Sequence, residues 1–293
     1  MNHHICVIGG DLRIVKLVEM LAEDGFEVYT YGLENAESLI HKQNIVLCES
    51  AQKAASYSGL IIGPIPLSSN GVLINMPFSE QKMEIEELLK TAENKTLIAG
   101  AIRTEVYNKA NNVSLIDILK REELTVLNTI STAEGAIQIA MEETSRTVHG
   151  SNVLVMGFGR VGKILAKMLD GIGANVTCEA RKDTDIAWIK AYGYDSVYLN
   201  ELEEKLPKFD IIINTIPYLI LNEEKLKMVK KEVLLIDLAS NPGGVDKKAV
   251  KELGLKLIWA LSLPGKVAPI TSAEFIKDTL YNILKEMNKG EEK

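Results

Sequence analysis

Apolar residues in this chain gather in short runs bounded by glycine, and the runs alternate with stretches of helical spacing. His4 to Ile8 reads as a strand and is followed by Gly9-Gly10-Asp11. Leu12 to Asp24 places Leu12, Val15, Val18, Leu21 and Ala22 on one side of a helix. Phe26 to Tyr31 and Gly59 to Ile62 read as strands, the second stopped by Gly63-Pro64-Ile65-Pro66. Glu80 to Thr91 is an expected helix and Thr96 to Ala99 a strand. The second half repeats the alternation, with strands at Val153 to Met156, Asn175 to Glu179, Ile211 to Ile213, Val233 to Ile236 and Lys256 to Ala260. Two longer helices are expected at Thr129 to His149 and Ser272 to Lys289. In the first, Ser131 or Thr132 would be the cap, with Glu134 close to the acidic position of a capping box. This alternation predicts an α/β fold of two Rossmann-like parallel-sheet domains joined by two long helices, with a cleft between them. Residues 1–130 would form a flavodoxin- or Rossmann-like substrate domain. Residues 131–149 would link, 150–271 would bind a dinucleotide, and the helix at 272–289 would pack back on the first domain.

Composition narrows the function. A chain of 293 residues has room for two domains, and an apolar content of 46% supports a full core in each. A net charge of −7 argues against nucleic acid or an anionic membrane as partner. No apolar run approaches the length of a membrane span. Met1 runs almost directly into a strand with no secretory leader, so a cytoplasmic protein is expected. Cys6, Cys48 and Cys178 show no metal or redox spacing, and Cys6 and Cys178 read as buried thiols. The four histidines form no ligand pattern, so no metal is expected.

The chemistry concentrates in Gly157-Phe158-Gly159-Arg160-Val161-Gly162. Gly157 permits the sharp exit from a strand, Gly159 lets backbone approach a pyrophosphate, and Gly162 lets the following helix pack close. The helix N-terminus offers free N–H groups to phosphate. At the end of the next strand, where an NAD site usually places an acid, stand Ala180, Arg181 and Lys182. A missing acid followed by two cations suits a 2′-phosphate, so NADP is favoured over NAD. If Ala180 faces the ribose, alternation along the strand turns Glu179 away, and a one-residue change of register would reverse that. The earlier Gly9-Gly10 turn lacks the third glycine and reads as an ordinary βα turn. Asn214, Thr215, Ile216 and Pro217 follow one strand, and Asp237, Ala239 and Ser240 follow another. These residues would lie at strand C-termini, where open α/β sheets bind ligands.

Six blocks in order resemble the A-subunit family of dipicolinate synthase: VIGGDLR (Val7 to Arg13), NTISTAEGAI (Asn128 to Ile137), VHGSNVLVMGFGRVG (Val148 to Gly162), INTIP (Ile213 to Pro217), DLASNPGGVD (Asp237 to Asp246) and LPGKVAPITSA (Leu263 to Ala273). The resemblance implies a nicotinamide-dependent dehydrogenase-like chain that helps make the spore metabolite dipicolinate from the lysine and diaminopimelate route. It also implies a B subunit of flavoprotein-like fold as partner. Oxidising a dihydropyridine dicarboxylate would need contacts for two carboxylates and one proton acceptor. Ser68, Ser69, Asn70 and Thr132 are the expected substrate contacts, Lys266 a carboxylate partner, and Glu134 the candidate base, with a cap as its alternative role. Rival readings are a 2-hydroxy-acid dehydrogenase, a methylene-folate dehydrogenase and a regulatory NADP-binding subunit without turnover. Against the first, no histidine follows His149 to serve as its base. Homo-oligomer formation stays open.

Overall fold

The computed structural model describes residues 3–291. The chain forms two compact units, one built from residues up to Leu127 and from Ala268 onward, the other from Asn128 to Val267.

The first unit runs β1 (His4–Ile8), α1 (Leu12–Glu23), β2 (Glu27–Tyr31), β3 (Ile45–Leu47), α2 (Ala51–Ala55), β4 (Leu60–Ile62), α3 (Ile85–Thr91), β5 (Thr96–Ala99), α4 (Thr104–Lys109) and β6 (Ser114–Asp117). Its six strands are parallel in the order β3-β2-β1-β4-β5-β6. Ile5, Cys6, Val7 and Ile8 of β1 are all buried, as a strand covered on both faces requires. On α1 the predicted face is buried from Val15 onward, with Val15, Val18, Leu21 and Ala22 in the core, whereas Leu12 in the first turn is exposed. Asp11 caps this helix, its carboxylate accepting from Arg13 N at 3.1 Å.

Helix α5 (Glu122–Glu143) follows, and then β7 (Asn152–Met156), α6 (Arg160–Ile172), β8 (Asn175–Ala180), α7 (Asp183–Ala191), β9 (Asp195–Tyr198), α8 (Leu202–Lys205), β10 (Ile211–Asn214), α9 (Glu223–Leu226), β11 (Leu234–Asp237), α10 (Lys247–Leu253), β12 (Lys256–Trp259) and α11 (Leu263–Val267). The second sheet is also parallel and six-stranded, in the order β12-β11-β10-β7-β8-β9. Counted from its own first strand, this is the arrangement of the first sheet, and both are Rossmann-like. The last helix, α12 (Pro269–Glu291), belongs to the first unit. Its Ala273, Ile276, Leu280 and Ile283 share a core with α1 and β1. Lys277 and Tyr281 of α12 donate to Asp24 at the end of α1, at 2.9 and 2.5 Å.

Three helix expectations are corrected. The helix expected at Glu80 to Thr91 is α3, which begins only at Ile85. Helix α5 begins at Glu122, not at Thr129, and ends at Glu143. Glu122 and Glu123 put negative charge in its first turn, where the helix dipole favours it. Thr132 is not a cap: its hydroxyl donates back along the helix to the Asn128 carbonyl at 2.8 Å, a bond that a threonine inside a helix commonly makes. The helix tolerates Gly135 in its interior because a Cβ there would lie 2.9 Å from Val267 Cγ2. Near the end of the chain, Lys266 lies on the short helix α11, and the final helix starts at Pro269, ahead of Ser272. Pro suits a first helical position because its missing N–H would have no partner there.

Candidate dinucleotide-binding site

The site grows from the exit of β7. Gly157 has φ +88°, and its N–H donates to the Glu179 carbonyl at 3.2 Å. A side chain here would be strained, and its Cβ would lie 2.7 Å from Thr215 Oγ1 and 2.8 Å from Ile216 Cγ1. Gly162 sits against the Gly157 carbonyl so closely that a Cβ would overlap the oxygen. That contact lets the first turn of α6 come up against β7. Gly159 is the opposite case: a Cβ there would meet nothing within 4 Å. It is the N-cap of α6, and no side-chain hydrogen bond caps the helix there.

Around this turn lies a cavity of about 460 Å³ lined by Gly157 to Arg160, Lys163, Glu179 to Lys182, Asp185 and Ile216. Phe158 turns inward as an anchor, 5% exposed, with its ring 6.2 Å from that of Tyr192, the residue that follows α7. Lys163 Nζ stands 5.7 Å above the Phe158 ring. The cavity therefore joins a bare helix N-terminus to the cationic side chains Arg160, Lys163, Arg181 and Lys182. These features fit an extended anionic ligand such as a pyrophosphate dinucleotide.

Glu179 is where the expectation fails. It does not face away from the turn. Its Oε2 accepts from Gly157 N at 3.2 Å, although the residue is fully buried, and Oε1 has no hydrogen-bond partner. Burial pushes its carboxyl above the usual range, while the Gly157 N–H and the charge of Arg181 pull it back. The alternation rule fixes only the direction of the Cα–Cβ bond. A long side chain near a strand end can fold back over the turn, while the Ala180 methyl beside it is buried and lines the same cavity.

Asn214, Thr215 and Asp237 brace the rim with their side chains. Asn214 is buried; its Nδ2 donates to Asp237 Oδ1 at 2.8 Å and to the Ile216 carbonyl at 3.0 Å, and its Oδ1 accepts from Ile216 N at 3.1 Å. Asp237, also buried, accepts from Ala239 N at 3.1 Å and Gly244 N at 2.8 Å. Thr215 Oγ1 donates to the Met156 carbonyl at 2.8 Å. Because these polar groups are already paired, what they offer a ligand is the placement of two loops, 214–217 and 237–244. Ala239 accepts from Trp259 Nε1 through its carbonyl at 2.9 Å, while Ser240 is exposed and Pro217 lies at the surface.

The remaining candidates lie elsewhere. Glu134 is exposed within α5 and borders an apolar groove with Ile137, Met141, Met168 and Ile172, in which no glycine turn or cation takes part. Lys266 is exposed on α11. In the first unit, Ser68 and Asn70 hold their own turn: Ser68 Oγ donates to the Leu73 carbonyl, and Asn70 Oδ1 accepts from Val72 N and Leu73 N, both at 2.9 Å. Ser69 is exposed. Lys163 and Asp185 joined the cavity without being expected there. Lys163 lies three residues beyond Arg160 on α6, a spacing that puts both on one face of the helix.

Burial pushes the thiols of Cys6 and Cys178 up to about 12, which leaves them unreactive. Among the described residues no helix is long and apolar enough to cross a membrane, and no group of His, Cys, Asp and Glu is placed to hold a metal.

Comparison with known proteins places this geometry. Residues 4–119 match the model of the N-terminal domain of the dipicolinate synthase A-subunit. Residues 105–253 match that of the D-isomer specific 2-hydroxyacid dehydrogenase NAD binding domain. The second unit is thus a nicotinamide-dinucleotide-binding domain, and the chain is an oxidoreductase of dehydrogenase type. The dipicolinate synthase A-subunit of Bacillus subtilis is 31% identical over 99% of this chain and 98% of its own. The crystal structure of that protein superposes with a TM-score of 0.88, covering 99% of this chain and 98% of its own. The corresponding protein from Bacillus halodurans gives 0.87 at 29% identity, covering 96% and 97%. An identity above 30% along nearly the full length of both chains, together with a shared N-terminal domain, shows that the chain belongs to the A-subunit family of dipicolinate synthase.

Proposed function

We propose that this chain oxidises a cyclic dihydropyridine dicarboxylate of the dihydrodipicolinate type to dipicolinate, using NADP as cofactor and working in partnership with a B subunit. The observation that carries the reading is the full-length similarity to the A-subunit family together with the open, cation-lined glycine turn of the second unit. When bound, the nicotinamide supplies the hydride acceptor that such an oxidation needs.

The chain's own residues supply binding and orientation. The N–H groups at the start of α6 take the pyrophosphate, and Gly159 leaves the space for it. Arg181 and Lys182 take the 2′-phosphate, with Ala180 too small to obstruct it. Asn214 and Asp237 fix the two loops that edge the ring end of the site. Lys266 is our candidate partner for a substrate carboxylate. Formation of an aromatic pyridine favours the oxidation, so a strong base is not required. Glu134, in contact with water, keeps the base role only if Glu134→Gln lowers turnover without lowering the melting temperature.

Anaerobic incubation with enzymatically generated precursor and NADP, with and without the B subunit, tests the reading. Ultraviolet absorption of the pyridine product should appear together with reduced cofactor. Lactate, glycerate and similar hydroxy acids should give none. Turnover of a hydroxy acid, or no pyridine even with the B subunit present, would refute it.

A further inference from the structure

Helices α5, α6 and α7 of the second unit pack into one core on the same face of its sheet, while α8, α9 and α10 cover the opposite face. Helix α6 is the middle one. Its Met168 and Ile172 border the groove shared with α5, and its Lys163 stands over Phe158, whose ring meets Tyr192 just past α7. The outer surface of this layer is unlike that of a solvated helix layer. Met141 on α5 is 53% exposed, and Trp188 on α7 and Tyr192 are each 55% exposed. The Trp188 and Tyr192 rings stack with centroids 5.7 Å apart, so they form one apolar ridge. The groove between α5 and α6 has a volume of about 620 Å³, and Ile137, Met141, Met168 and Ile172 give it an apolar lining. Tryptophan, tyrosine and methionine are the residues that protein interfaces gather at their centres.

We propose that this face is the dimer interface of the chain, with a second copy as its occupant. Shape and charge both make the face complementary to itself. The groove lies at the α5 side and the ridge at the α7 side. Glu134 and Glu142 are exposed along the groove, which no cation lines, while Lys167 on α6 and Lys190 on α7 are exposed toward the other side. A half turn about an axis near α6 lays the ridge of each copy in the groove of the other. The same turn brings Glu134 and Glu142 over the partner's cations, as an isologous interface requires. The size is sufficient. Three helices packed about 10 Å apart, with a 13-residue α6 about 20 Å long, present about 600 Å² per copy. Two copies then bury about 1,200 Å², above the roughly 1,000 Å² expected of a specific interface. The proposal depends on no cofactor or substrate assignment.

Sedimentation equilibrium of the whole chain over about 1 to 100 µM, without the B subunit, tests this. The unaltered chain should show twice its chain mass. Met141→Glu and Trp188→Glu each place a charge inside the apolar contact and should weaken association about a hundredfold. Their circular dichroism should match the unaltered chain, because both side chains are more than half exposed. Met141→Ala and Trp188→Ala should each weaken association about tenfold, the scale of a truncated interface anchor, and they decide the matter if a glutamate variant does not fold. A dimer that all the folded variants leave intact would overturn the proposal. A chain that is monomeric throughout the range would also overturn it, and loss of B-subunit binding in the same variants would then assign the face to that partner.

Discussion

The two units share a strand order, and their first turns align residue for residue, yet only one is open. Gly9-Gly10-Asp11-Leu12-Arg13-Ile14 in the first corresponds to Gly157-Phe158-Gly159-Arg160-Val161-Gly162 in the second. The leading glycines behave alike: Gly9 has φ +63° and donates to the Tyr31 carbonyl at 2.8 Å, as Gly157 at φ +88° donates to that of Glu179 at 3.2 Å. The difference begins at the third position. Asp11 caps its own helix and grips the Arg13 guanidinium at 2.7 Å, whereas Gly159 leaves the end of α6 bare. Arg13 is further held by the Ile65 carbonyl. Ile14 stands where Gly162 does, and a Cβ on Gly10 would lie 2.5 Å from it. Met76 fills the space that remains, 2.6 Å from a Cβ on Gly9 and 2.5 Å from one on Gly32. The same topology thus presents one helix N-terminus satisfied by its own carboxylate and one left for an external anion.

The largest effect should come from closing the second turn by force. Gly162→Val drives a side chain into the Gly157 carbonyl and should cost about 3 kcal/mol, read as a lower melting temperature. A subtler change gives the second unit the cap of the first. Gly159→Asp should leave the melting temperature unchanged or slightly raised, since an Asp N-cap is better than a Gly one by roughly a few tenths of a kcal/mol. The same change should weaken both NADH and NADPH at least a hundredfold, because the new carboxylate takes the place of the pyrophosphate. The converse change, Asp11→Gly, should not create a site, because Ile14 and Met76 still fill the first turn.

Arg181→Asp should weaken NADPH by about 1–3 kcal/mol and NADH less. Equal losses would remove the 2′-phosphate assignment.

The smallest effects are on pH, and here the units differ in sign. Hydrogen bonds from Tyr281 and Lys277 hold the Asp24 carboxyl below its usual range. The stability this contributes is complete above the ordinary carboxylate value of about 4 and is lost as pH falls through the lowered folded value. Burial raises Glu179 instead, so its ionisation destabilises the fold as pH rises above that ordinary value. Asp24→Asn should therefore be less stable than the unaltered chain near neutral pH, with the gap closing in acid. Glu179→Gln should be more stable near neutral pH, with its gap also closing in acid. Chemical denaturation across pH distinguishes the two signs.

Most of the fold was legible because both sheets are buried on two faces, so β1, β7, β10 and β11 read as unbroken apolar runs. Of the edge strands only β12 was read, at Lys256 to Ala260, while β3, β6 and β9 were not. Val46 and Leu47 of β3 are exposed, and β9 is Asp-Ser-Val-Tyr with one buried residue, so neither carries that signature. The start of α5 was misplaced because Ser131 and Thr132 are good capping residues, and only the bond from Thr132 to the Asn128 carbonyl shows a helix already under way. At the site, the glycine turn was readable from spacing alone. Glu179 was not, because strand alternation predicts the face a side chain leaves from and not where a long side chain ends. Neither was the pairing of Asn214 with Asp237, which joins two strand-end loops that the sequence separates.

The central claim is that the turn of the second unit holds a nicotinamide dinucleotide and that of the first holds none. Calorimetric titration of NADPH into the whole chain and into Gly159→Asp measures this directly. The account predicts one site per chain, lost in the variant while its melting temperature is kept. Two sites per chain, or undiminished binding to the folded variant, would contradict it.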